Sequence, residues 1–175
     1  MPVTKRRRAT VLMALGFMLA CVIGGVLWFL YTRKGVNPSP MKDYSTETQE
    51  QAARSIVAGL NTHNPDKVDL IRNHSGNPDR EADNARIADN ISAVLPAPGC
   101  EYALAAVEDK GIQDPALVPW FSGPTQARGF DMKIEQLCPG HQPTPRVIRV
   151  IAIPSGMGGY WAEAALYPRA ESSTR

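Results

Sequence analysis

Three patterns of hydrophobic and polar positions follow one another along the chain. From Ala9 to Tyr31 an apolar run of 23 residues carries no charged side chain. At about 1.5 Å per residue, a helix over this run is roughly 35 Å long, enough for a hydrocarbon core of about 30 Å. The run therefore predicts a transmembrane helix over 9–31. From Thr46 to Leu95 apolar residues recur at helical spacing, and beyond Gly99 they alternate as in strands.

In the middle region, Thr46 and Gln49 fit a capping box that opens a helix. Ala52, Ala53, Ile56, Val57 and Leu60 form its apolar stripe. Asn64-Pro65 and Asn77-Pro78 each read as a helix start, with proline where its missing N–H is harmless. The second helix turns Val68 and Ile71 inward. The third runs to Leu95 and buries Ala85, Ala88, Ile91 and Leu95, with Ile87 and Val94 beside them. Strands are predicted at Cys100–Val107, with Cys100, Tyr102, Leu104 and Ala106 on one face, and at Gly129–Cys138, where Asp131, Lys133 and Glu135 face water. Val147–Ile153 is apolar on nearly both sides and reads as a central strand. A hairpin loop, Pro154–Gly159, leads to the last strand, Tyr160–Tyr167. The stretch 109–126 is a loop carrying Trp120-Phe121. The expected organisation is a basic stub at 1–8, the membrane helix at 9–31, a Pro-containing stalk at 32–45, an α+β domain at 46–167 and a polar, disordered tail at 168–175.

Charge sharpens this layout. Of the 19 Lys/Arg, seven lie within residues 1–42, together with none of the 17 Asp/Glu, so the rest of the chain sets twelve bases against seventeen acids. Lys5-Arg6-Arg7-Arg8 ahead of the run outweighs Arg33-Lys34 behind it, which favours an inside N-terminus and an outside domain. An acidic domain argues against a nucleic-acid partner. A cleaved signal peptide has a shorter apolar core, and Leu27–Tyr31 is a poor cleavage site. A lipidated Cys21 would end the run, yet ten mostly apolar residues follow it. Gly16, Ala20 and Gly24 recur every four residues, a ridge of small side chains suited to homodimer packing in a bilayer. Outside the cytoplasm, cysteines pair. Cys100 begins one strand and Cys138 ends another, which brings them together in antiparallel neighbours and predicts a disulfide.

Helices followed by a meander of strands give an α+β domain with its helices on one face of a sheet. The stretch Ala53–Ile71, with Leu60-Asn61, Asp66 and the second short helix, resembles the opening of nuclear-transport-factor-two-like domains. That resemblance implies a curved sheet folded round the helices into a cone. The whole layout is similar to mammalian-cell-entry-associated membrane proteins and to the bitopic assembly subunit of type IV secretion complexes. Both groups imply a non-catalytic scaffold or accessory subunit of a cell-envelope complex for transport or secretion.

Candidate chemistry is sparse. Asp83, Arg86 and Asp89 read as a solvated helix face with i,i+3 ion pairs. His63, His74 and His141 have no partners at metal spacing, and no cofactor motif is recognised. Ser155–Gly159 reads as a turn, and Asn90-Ile-Ser92 is a glycosylation sequon placed mid-helix. Trp120-Phe121 reads as a plug over the core or, alternatively, a partner-binding anchor. Arg149 and Glu163 interrupt apolar strands; exposure is the expectation for each, with a polar pocket floor as the alternative. The expected function is thus a non-enzymatic, membrane-anchored extracytoplasmic scaffold whose partners are the lipid bilayer and other envelope proteins. The alternative is a tethered ligand-binding or enzymatic cone.

Overall fold

The computed structural model describes residues 43–73, 78–121, 123–155 and 159–169. Helix α1 spans Thr46–Leu60. Its N-cap is Ser45, whose side chain accepts from the Thr48 N–H, one residue ahead of the expected box. Ala53, Ile56, Val57 and Leu60 are buried as the stripe predicts. Asn61 caps the C-terminus, and His63 takes a left-handed backbone with φ 55°. The Asn64-Pro65 start produces only a 3-10 turn, Pro65–Lys67, rather than a helix. Gly59 permits this turn to lie against α1: a Cβ there would meet Lys67 O and Val68 Cα at 2.7 Å.

Helix α2 spans Arg80–Ser92. Its buried stripe keeps the expected branched residues and loses the two alanines. Ile87 and Ile91 are fully enclosed and Val94 follows, whereas Ala85 is exposed and Ala88 is half-buried. The larger branched side chains win the inward positions because each excludes more apolar area from water, about 25 cal/mol per Å².

Four strands form one antiparallel sheet in sequence order: β1 Glu101–Gln113, β2 Ala127–Leu137, β3 Thr144–Ser155 and β4 Tyr160–Arg169. β2 and β3 are central, as the double-sided apolarity of β3 predicts. Phe130, Met132, Ile134, Ile148, Val150 and Leu166 share the face covered by the helices, α1 lying against β1 and α2 against β4. These six side chains are at most 3 % exposed. β1 is longer than expected and contains register shifts at Leu104/Ala106 and Asp109/Ile112. The first shift swaps the alternation, so Ala106 is exposed and Val107 packs on the core. The β1–β2 connection covers the opposite face near β4. Its 3-10 turn, Pro115–Leu117, accepts the Tyr167 hydroxyl at Leu117 O, and Val118 is buried.

Both sheet edges are met by asparagine amides. Asn61 exchanges two hydrogen bonds with the Tyr102 main chain at 2.7 and 2.9 Å. Asn90 does the same at Leu166, both at 2.8 Å. Each amide occupies main-chain groups that would otherwise invite another strand. The half-buried Asn90 of the sequon is thereby engaged in the fold.

The expected fold class is corrected on three points. The described domain has two α-helices, not three, and an open four-stranded meander without the features that would establish a nuclear-transport-factor-two-like cone. No described helix is long and apolar enough to cross a membrane, so an N-terminal transmembrane helix is not part of the observed fold. The run 9–31, with Gly16, Ala20 and Gly24, lies outside the described residues, as do the stub and most of the stalk. Finally, Pro168 and Arg169 belong to β4, paired with Ile148 and Val147, rather than to a tail.

Candidate functional site

Cys100 and Cys138 form a disulfide with a Cα–Cα distance of 4.3 Å, joining the start of β1 to the end of β2. His63, held in its left-handed turn, places Nε2 3.1 Å from Cys100 O beside it. The covalent link and the edge amide of Asn61 fix the same corner of the sheet.

Arg149 and Glu163 do not meet. Arg149 pairs across the strands with Tyr167, whereas Glu163 pairs with Ala152, three residues further along β3. Alternation therefore sets them on opposite faces. Arg149 lies on the face away from the helices, where its Nε and Nη2 grip both oxygens of Asp131, the latter at 3.0 Å, while Nη1 donates to Gln113 Oε1 at 3.1 Å. The bond from Asp131 raises the affinity of the guanidinium for its proton against the opposing effect of burial. Asp131 is itself buried, not wet as its alternation suggested. Lys110, Glu108 and Lys133 complete the rim, Lys133 Nζ standing 3.1 Å from Glu108. This is a closed ionic patch in which each charge has a partner.

Glu163 occupies the helix-covered face. The expectation of exposure fails for both residues: the Arg149 side chain is 14 % exposed, and Glu163 is half-buried. The carboxylate of Glu163 accepts from Tyr44 Oη at 2.8 Å. Burial pushes its pKa up, more than that bond lowers it, and the neighbouring Asp69 carboxylate pushes it further. Tyr44 is buried against Phe130 and Trp161, with ring centroids at 6.0 and 5.8 Å. Its hydroxyl is held protonated by burial, then by the Glu163 charge. Residues 70–72 run beside the β4 edge, Ile71 N–H donating to Glu163 O at 2.8 Å. This placement opens a cleft of about 550 Å³ lined by Asp69, Arg72, Phe121, Tyr160, Trp161 and Glu163, among others.

A second polar locus adjoins α1. Gln49 is fully buried; its Nε2 donates to Tyr44 O and to Asp109 Oδ1 at 2.9 and 3.0 Å. Among the described residues, Gln49 Oε1 and Arg128 Nε are the buried side-chain polar atoms without a hydrogen-bond partner. Both side chains approach Asp109, Arg128 at 3.6 Å. Sequence reasoning assigned Gln49 to a capping box and passed over Tyr44 altogether. Its one signal was position: an aromatic residue immediately before an N-cap serine.

Trp120 is buried, its indole donating to Ala164 O at 3.2 Å, which matches the plug. Its neighbour Phe121 is partly exposed and reaches the cleft. Asp83 and Arg86 form the expected i,i+3 pair at 3.6 Å, but Asp83 is buried and also accepts from Asn73. His74 lies outside the described residues; His63 and His141 both adjoin the disulfide corner, His63 at Cys100 O and His141 N at Cys138 O, and no group of three or more metal-binding side chains occurs among the described residues. No protein-family model matches the chain, and neither a curated protein nor a solved structure matches it.

Proposed function

We propose that the domain is a non-catalytic binding module of the cell envelope, working as a scaffold or accessory subunit at the outer surface of a membrane. The observation that carries this reading is the filled interior. Phe130, Met132, Ile134, Val150 and Leu166 meet Ile56, Leu60, Ile87 and Ile91 in an apolar core. That core is packed with side chains, and the polar groups that could meet a partner lie at its rim, in the cleft beside β4. The Cys100–Cys138 bond supports an oxidising compartment. The seven bases and no acids of residues 1–42, around one uncharged run, support a position at a membrane.

Acid quenching of living cells followed by alkylation tests the address. The expected result is a membrane-fraction protein whose Cys100 and Cys138 resist alkylation until reduced. Free thiols at both positions in quenched cells overturn the extracytoplasmic assignment. Purification of the full chain from detergent-solubilised membranes tests the role: an envelope protein should accompany it in fixed stoichiometry. A chain that migrates alone after crosslinking in intact cells is not an accessory subunit.

A further inference from the structure

We propose that the cleft along β4 receives a basic side chain of a partner polypeptide, its cation at the Glu163 and Asp69 carboxylates and its alkyl stem against Trp161 and Tyr160. The proposal deepens the binding-module reading by naming the chemistry of the partner.

Three observations on this cleft converge. The first concerns compensation. Glu163 is half-buried, yet its side-chain partner is a neutral hydroxyl, Tyr44 Oη. Asp69 lines the same cleft and likewise has a hydroxyl, Ser55 Oγ at 3.2 Å. Among the described residues neither carboxylate has a cation within 4 Å, whereas Asp131 on the other face is matched by Arg149. Removing a carboxylate from water without a counter-charge is unfavourable, and an incoming ammonium or guanidinium relieves it.

The second concerns shape. Tyr160 is 51 % exposed, and Trp161 and Phe121 are partly exposed on the same cleft. Aromatic faces beside carboxylates suit the two halves of a lysine or arginine side chain, the stem on the ring and the charge at the oxygens. The third concerns sign. Arg72 also lines the cleft, but its Nη2 donates to Pro65 O at 2.8 Å, directed at the backbone of the 3-10 turn. Two carboxylates against one guanidinium leave the site negative, within a region holding seventeen acids and twelve bases. An anion meets net repulsion there and a cation meets attraction, which also speeds the encounter.

The full chain, isotope-labelled in a neutral detergent, is titrated with the peptide Gly-Arg-Gly while the Trp161 indole N–H resonance is followed. The uncharged peptide Gly-citrulline-Gly is the control. The expected result is a saturable shift with the arginine peptide, none with citrulline at the same concentration, and weakening with added salt. Glu163→Gln should lower the affinity about tenfold, the order expected for one charge-assisted hydrogen bond. Asp69→Asn, at an exposed position, should lower it with the fold intact, so that a folding defect in the first variant leaves the test standing. Equal shifts from both peptides, or unchanged binding in both variants, overturn the proposal. So does a tenfold preference for free agmatine, which would assign the cleft to a small diffusible amine. A partner that copurifies equally well with the Glu163→Gln and Asp69→Asn chains overturns this inference while the binding-module reading stands. Peptide binding without any copurifying partner does the reverse.

Discussion

Asp131 and Glu163 are carboxylates on strands of one sheet, and their surroundings could hardly differ more. Asp131 lies on the open face, gripped by Arg149 through both oxygens, with Lys110 3.6 Å away. Glu163 lies on the helix-covered face with a tyrosine hydroxyl and, nearby, a second carboxylate. One region is complete in itself; the other leaves an electrostatic demand unmet. Buried charge is ordinarily matched inside the fold. Where the fold leaves it unmatched at a cleft, the match is expected from outside. The contrast therefore separates a structural ion pair from a recognition site more sharply than either residue does alone.

The largest expected effect concerns what staples the complete region. The ionic patch spans β1, β2 and β3, and the disulfide ties β1 to β2 at their far end. Closing a loop over 38 positions of separation restricts the unfolded chain by roughly 4 kcal/mol in the chain-entropy picture. Cys100→Ala/Cys138→Ala should lower the unfolding free energy by about that amount in chemical denaturation. In hydrogen exchange, Tyr102 and Ile134 should lose protection before Leu166 does. Uniform loss across the sheet would show that the two sides are not separable.

Next in size is the pair itself. Asp131→Asn takes the bidentate carboxylate from the Arg149 guanidinium, 14 % exposed, and should cost about 3 kcal/mol. The double variant Asp131→Leu/Arg149→Met removes both charges and should recover most of that loss, because an apolar pair of similar volume needs no compensation. Denaturation midpoints of the two variants decide it. A double variant as unstable as the single one would mean that Asp131 serves something other than Arg149.

Much of this arrangement was readable in the chain, and the unread parts share a cause. The stripe of α1, the alternation of β2 beyond Asp131 and the double-sided apolarity of β3 are local patterns, and each survives in the fold. The disulfide followed from the strand ends. The sequence ends the first strand at Val107 because the stretch from Asp109 reads as a loop, whereas β1 continues to Gln113. In the fold its polar side chains bond across the sheet, Glu108 to Lys133 and Asp109 to Arg128, a stabilisation that periodicity does not register. The exposure of Ala85 on α2 also depends on what the helix packs against. The burial of Asp131 depends on Arg149, 18 positions away, and that of Glu163 on Tyr44, 119 positions away. Within the candidate site Glu163 is legible as a charge in an apolar strand and Phe121 as half of an aromatic pair between prolines. Tyr44, Asp69 and Trp161 acquire their meaning from the tertiary contact.

Tyr44→Phe probes the incomplete region with the ring contacts to Phe130 and Trp161 retained. It removes the hydroxyl donor from a half-buried carboxylate and should destabilise the domain by about 1 kcal/mol at neutral pH. The loss should shrink in acid, where Glu163 carries a proton and needs the donor less. A loss independent of pH would place the role of Tyr44 in packing rather than in holding the charge.

The smallest effect has the opposite sign and is the most diagnostic. The folded-state pKa of Glu163 is raised above its ordinary value of 4.5, chiefly by burial. Below that ordinary value the group is protonated in both folded and unfolded chains and contributes no pH dependence. As pH rises past it, the unfolded chain releases its proton first, so stability falls until pH passes the folded pKa, and the penalty then stays constant. Glu163→Gln removes that penalty. It should stabilise the domain at pH 8 by less than about 1 kcal/mol, since the cleft keeps part of the carboxylate in water, and should give no gain at pH 4. Asp131→Asn, by contrast, destabilises at neutral pH. Unfolding curves for wild type and Glu163→Gln at the two pH values give the answer. An equal gain at both would reduce the effect to packing, and a loss at pH 8 would mean that the ionised carboxylate is already compensated within the fold. A substitution that stabilises the protein while it weakens binding of the arginine peptide is the signature of a group kept for recognition.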